Sequence, residues 1–176
     1  MRLPIYFHED DYCQIELLPA ASRQFCLVEM KKIEEFSEAH RTGFGWSAMY
    51  VRNEEPPQTL ASLLIPFDSW KENLKDRLSF HAQVKTGYSS HVETCDNCAA
   101  WAGENDVTIF AEINQDAIRR AWFSFDNLNE QGVPNSLAAI REIAERDELI
   151  IVDWVWREVV KISDAEKLSE YLQSRA

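Results

Sequence analysis

Between Leu149 and Ile162 apolar and polar residues alternate along the chain. Ile150, Val152, Trp154, Trp156, Val160 and Ile162 fall on one side of an extended backbone. Asp153, Arg157 and Lys161 fall on the other, and Glu158 is the exception on the apolar side. A period of two marks a half-buried strand, because successive side chains of a strand point to opposite faces. The segment therefore predicts a sheet with its apolar face covered and Asp153 and Arg157 turned away from the core.

What covers that face is written in the helical segments. Ser22 is placed to cap a helix running to about His40, with Phe25, Val28, Ile33 and Phe36 at helical spacing. His40 and Arg41 end it, where cations complement the helix dipole. Thr59 to Ile65 reads as a short helical turn stopped by Pro66. Ser69 and Glu72 form a capping-box pattern opening a helix with Trp70, Leu74 and Leu78 on one face. Asn135 to Glu145 and a last helix from Ser163-Asp164-Ala165-Glu166 carry Leu137, Ile140, Ala144, Leu168 and Leu172 inward.

Further strands are expected at Tyr12–Leu18, Trp46–Arg52, Ser79–Val84 and Tyr88–Thr94. A hairpin joins Val107–Ile113 to Ile118–Phe125 around Asn114-Gln115-Asp116-Ala117. Hairpin neighbours mixed with helices point to α+β. Clean alternation favours a largely antiparallel sheet with helices packed on one face. No repeat, linker or composition shift divides the 176 residues, so a single domain over 1–176 is expected.

Charge narrows the partners. Thirty acidic against eighteen basic residues leave a net charge of −12. Such a surface repels nucleic-acid phosphates and anionic lipid headgroups and attracts cations or a basic protein. Neither a signal peptide nor a membrane span is legible, which sets a cytoplasmic location with reduced thiols as the expectation.

One segment concentrates chemistry. His91-Val92-Glu93-Thr94-Cys95-Asp96-Asn97-Cys98 holds a Cys-x-x-Cys pair with a histidine four residues before it. If Lys85-Thr86-Gly87 turns the chain, His81 falls opposite His91, and opposed residues have Cβ atoms ~5 Å apart. His81, His91, Cys95 and Cys98 then form a candidate zinc site, since zinc takes four nitrogen or sulfur ligands at one point. A thioredoxin-like redox role fits less well, because Glu93 and Asp96 flank Cys95 and negative charge disfavours a thiolate.

From Thr86 through Ile118 there is no lysine or arginine. Glu93, Asp96, Glu104, Asp106, Glu112 and Asp116 fill that window and form an anionic patch if they share a face. P-loop, dinucleotide, zincin and serine-hydrolase fingerprints are all missing. The leading reading is an acidic interaction protein, of inhibitor or immunity type, binding a basic protein. The alternative is a small metal- or thiol-dependent enzyme centred on His91, Cys95 and Cys98.

Overall fold

The computed structural model describes residues 5–88, 90–144 and 148–176. Its strands are β1 (Ile5–His8), β2 (Ile15–Pro19), β3 (Arg41–Thr42), β4 (Gly45–Trp46), β5 (Ser79–His81), β6 (Val84–Tyr88), β7 (His91–Thr94), β8 (Cys98–Ala102), β9 (Thr108–Asn114), β10 (Ala117–Ser124), β11 (Leu149–Asp153) and β12 (Glu158–Lys161). Its helices are α1 (Arg23–Ala39), α2 (Leu60–Leu63), α3 (Phe67–Leu74), α4 (Val133–Ala144) and α5 (Ala165–Gln173). The expected end of α4 at Glu145 lies outside the described residues.

Seven strands form the main sheet in the order β12-β11-β2-β10-β9-β8-β5. Every neighbouring pair in it is antiparallel. The α+β class and the largely antiparallel sheet therefore hold. Helices α2 to α5 pack on one face, where Leu60, Trp70, Leu74, Ile140, Leu168 and Leu172 meet Leu17, Ile109, Ala121 and Ile151.

The opposite face is covered in two parts. Helix α1 sets Cys26 and Met30 against Leu18, Ile150, Val152 and Trp154. A smaller sheet, ordered β1-β6-β7, sets Phe7 and Val84 against Cys98, Ala100, Phe110 and Trp122. A sheet covered on both faces buries both sets of side chains, so β8 and β11 are buried at every position. A seam remains between α1 and the small sheet, and the candidate site lies there.

Several expectations change. Residues 149–162 are a hairpin, not one strand: Asp153 pairs with Glu158, and Arg157 takes a left-handed φ of 56° in the connection. Because Ile151 pairs with Val160, even-numbered positions switch faces across the turn. Ile150 and Val152 face α1, whereas Val160 and Ile162 face the other helices. Asp153 is completely buried rather than turned to solvent, and Trp156 is exposed.

Lys85-Thr86-Gly87 is not a turn but the middle of β6, and the chain reverses between Tyr88 and His91. Gly87 is needed there for close approach. Its φ is 148°, and a Cβ would lie 2.0 Å from the His91 carbonyl oxygen.

On α1 Phe25 and Ile33 pack against the core as expected, the fully buried residues are Cys26, Glu29 and Met30, and Val28 is exposed. The expected hairpin at 114–117 is present, with Gln115 and Asp116 both at positive φ, as a two-residue primed turn requires.

Candidate functional site

The sequence-derived ligands do not converge. His81 pairs with Ala100 in the main sheet, and His91 pairs with Tyr88 in the small one, so the two histidines are not opposed. Cys95 and Cys98 are joined by a disulfide with Cα atoms 5.6 Å apart, in place of the expected reduced pair. A bonded sulfur is not the thiolate that ligates metal. Among the described residues no three His, Cys, Asp or Glu side chains group as metal ligands.

The acidic window is split as well. Asp96 and Asp116 sit at one end of the main sheet, beside the turns that flank β9. Glu104 and Asp106 sit in the β8–β9 connection at the other end, ~20 Å away at 3.4 Å per residue. Glu93 lies on β7, at the edge of the small sheet. Glu112 is already engaged, 2.9 Å from Arg119 Nη1 and accepting from the Tyr12 hydroxyl at 2.7 Å. The window does not form one face.

The structure instead gathers polar groups along the seam. A cleft of about 580 Å³ opens there, floored by Glu16 and Trp154 and bordered by Arg120 of β10. Its roof is the segment 47–58, a strap connecting β4 to the start of α2. Sequence reading expected a strand at Trp46–Arg52, and the strap does alternate like one. Tyr50 and Arg52 turn inward, and Met49 and Val51 turn outward. Yet it joins no sheet beyond Trp46. Among the described residues, 48–57 make no main-chain to main-chain hydrogen bond.

Side chains hold the strap instead. At its ends Ser47 N–H donates to the His40 carbonyl at 2.9 Å. Ser22 Oγ donates to the Gln58 carbonyl at 2.7 Å and accepts from the Gln58 N–H at 3.2 Å. Ser22 thus precedes α1 but anchors the strap and makes no side-chain cap. Between the ends, Tyr50 donates to Glu29 Oε1 at 2.6 Å, and Arg120 donates to Glu55 Oε1 at 3.3 Å. Lys32 lies 3.6 Å from Glu54. The Arg52 guanidinium stacks over Trp154, 4.1 Å from the ring centroid, with Nη1 3.5 Å from Glu16 Oε1.

The two buried carboxylates behave oppositely. Burial pushes Glu16 above the usual glutamate range, and the bonds from Trp154 and Arg52 only partly offset that. Burial also pushes Glu29 up, but hydrogen bonds from Tyr50 and Lys32 outweigh it and leave Glu29 lowered. Burial drives the thiols of Cys13 and Cys26 up to about 12, so neither is an activated nucleophile at neutral pH.

The β3–β4 hairpin and the start of the strap expose a run of apolar side chains, of which Met49 and Val51 also border the cleft. Trp46 is 68%, Met49 85% and Val51 63% exposed, and Phe44 is fully exposed. Trp46, Met49 and Tyr50 line a second groove against Phe36 of α1. Glu34, Glu35 and Glu38 on α1 and Glu54 and Glu55 on the strap are exposed, Glu35 beside Lys31, Glu54 beside Lys32 and Glu55 beside Arg120, and Arg41 pairs with Trp46 across the β3–β4 hairpin. Composition could not find this ridge, because Met49 and Val51 look like core residues of a strand.

No protein-family model, curated protein or solved structure matches the chain. No helix among the described residues is long and apolar enough to cross a membrane.

Proposed function

We propose that this is a non-enzymatic binding protein that docks a basic protein on the ridge of Phe44, Trp46, Met49 and Val51. It would act as an inhibitor or immunity-type protein does, by covering its partner. The observation carrying this reading is the exposure of four large apolar side chains within eight residues, beside carboxylates. Single exposed apolar residues are ordinary, but a contiguous patch with a polar rim marks an interaction surface. Aromatic and methionine side chains at the centre with charge at the rim is the composition of such interfaces.

The net charge of −12 selects the occupant. A second copy of the chain would bring like charge to the acidic rim and be repelled, whereas a cationic partner is steered in.

The test places a benzophenone-bearing phenylalanine at the position of Trp46 in the cells that make the protein, with Leu64 as an exposed apolar control elsewhere. The reading expects an adduct with a basic protein from position 46 only, lost in Phe44→Ala/Met49→Ala. It expects the association rate of the purified pair to fall steeply with salt. Absence of an adduct at 46, or an association rate indifferent to salt, overturns it.

A further inference from the structure

We propose that Glu16 and Trp154 form a guanidinium-binding subsite, occupied by Arg52 in the free protein and taken over by an arginine of the bound partner. The occupant's identity rests on the reading above. The subsite itself rests on geometry alone.

A guanidinium is recognised by an aromatic face to stack on and a carboxylate to meet its planar fork of N–H donors. Both are built into the floor of the cleft. Trp154 is buried, and its Nε1–H donates to Glu16 Oε1 at 2.7 Å, which fixes carboxylate and indole as one unit. The Glu16 side chain is only 14% exposed. A buried carboxylate beside an indole face is costly to keep charged, and a guanidinium lowers that cost.

Arg52 fills that role poorly. Its Nη1 stands 3.5 Å from the single oxygen Oε1, which Trp154 already engages. Both of these contacts fall on Oε1. A well-seated pair is bidentate, at roughly 2.7–2.9 Å. Arg52 also sits on a strap that has no main-chain ladder to hold it. An incoming arginine can therefore offer the same stacking with a second hydrogen bond. Displacing Arg52 removes one of the side-chain ties of the strap that carries Met49 and Val51, between the ties of Tyr50 and Glu55.

Arg52→Ala vacates the floor, and methylguanidinium is the probe, with methylammonium as control. Binding is followed by calorimetry, melting temperature and the Trp154 indole N–H resonance. Arg52→Ala should bind methylguanidinium saturably, regain melting temperature, and bind at least about tenfold more tightly than wild type, which must first give up Arg52. Methylammonium should bind far more weakly. Arg52→Ala/Glu16→Gln should not bind. A folded Arg52→Ala that shows no saturable binding overturns the subsite, as does equal binding of both cations.

If Arg52→Ala does not fold, the wild-type titration decides. A saturable shift of the Trp154 indole resonance, abolished by Glu16→Gln, supports the subsite, and no shift overturns it. Failure here with intact crosslinking at position 46 removes the subsite and leaves the docking reading standing. Saturable binding with no adduct at 46 does the reverse.

Discussion

The guanidinium of Arg52 lies 4.1 Å from the centroid of Trp154, so the strap's central cation rests on a residue of the buried core. Trp154 in turn donates its indole N–H to Glu16. Three residues far apart in sequence thus make one contact between the seam of the fold and its exposed ridge. The contact explains why an irregular segment lies in a defined place. It also makes that placement depend on the charge of one carboxylate.

The first prediction follows from Glu16. Its pKa is raised in the folded protein, chiefly by burial. The folded state therefore holds that proton more tightly than the unfolded chain. Glu16 contributes stability that is fully present below the ordinary glutamate pKa and is lost as pH rises through the folded value. Glu16→Gln keeps a neutral side chain at every pH. The melting-temperature difference between wild type and Glu16→Gln should favour wild type most at low pH and shrink as pH rises above the usual glutamate range. A difference that is flat, or that grows in wild type's favour with pH, would contradict the assignment.

Asp153 supplies the second. It is completely buried and accepts from the Tyr171 hydroxyl at 2.8 Å, Arg175 Nη2 at 3.2 Å and the Trp156 N–H at 2.9 Å. Removing one member of a buried, hydrogen-bonded charge pair costs about 3–5 kcal/mol. Asp153→Ala should lower stability by that amount in urea. Tyr171→Phe, which leaves the ion pair intact, should cost about 1.5–3 kcal/mol, the range for a hydrogen bond to a charged group.

Legibility from sequence stopped where side-chain parity changed without a turn residue to mark it. The β9–β10 hairpin was readable because its polar turn interrupts two apolar runs. So were Trp70, Leu74, Leu168 and Leu172 as inward residues, since each falls at helical spacing. The turn at Trp154–Arg157 has neither glycine nor proline, and the apolar period runs straight through it, so two strands looked like one. Asp153 is inside because β11 is covered on both faces, which an alternating pattern does not show. Gly87 misled in the opposite sense, being required for close packing against His91 rather than for a turn. The His81–His91 pairing and the zinc geometry depended on that single residue. The strap was invisible because nothing in Met49-Tyr50-Val51-Arg52 says that its apolar side faces water.

Ser22 gives a third prediction. It is fully buried, and its hydroxyl satisfies both main-chain groups of Gln58. Ser22→Ala strands those groups at a cost of about 1–3 kcal/mol. The damage should be local. Amide exchange should rise across 50–58 and stay unchanged in β9 and β10, because the strap's tether is lost while the sheet is untouched. If instead the first turn of α1 alone loosens, Ser22 is acting as an ordinary helix cap.

The two tryptophans of the β11–β12 connection separate core from surface. Trp154 is buried against Leu18, Ile150, Val152 and Met30 and bonds Glu16. Trp156, two residues on, is exposed, and the Arg175 guanidinium covers its ring at 4.9 Å. A single continuous strand would put both on one face and give both substitutions a similar cost. The hairpin makes them unequal. Trp154→Ala should cost about 3–5 kcal/mol, as large aromatics in cores do. Trp156→Ala should forfeit little beyond a surface cation–π contact of about 0.5–1 kcal/mol. Urea midpoints of the two variants measure the difference directly, and equal losses would restore the single-strand reading.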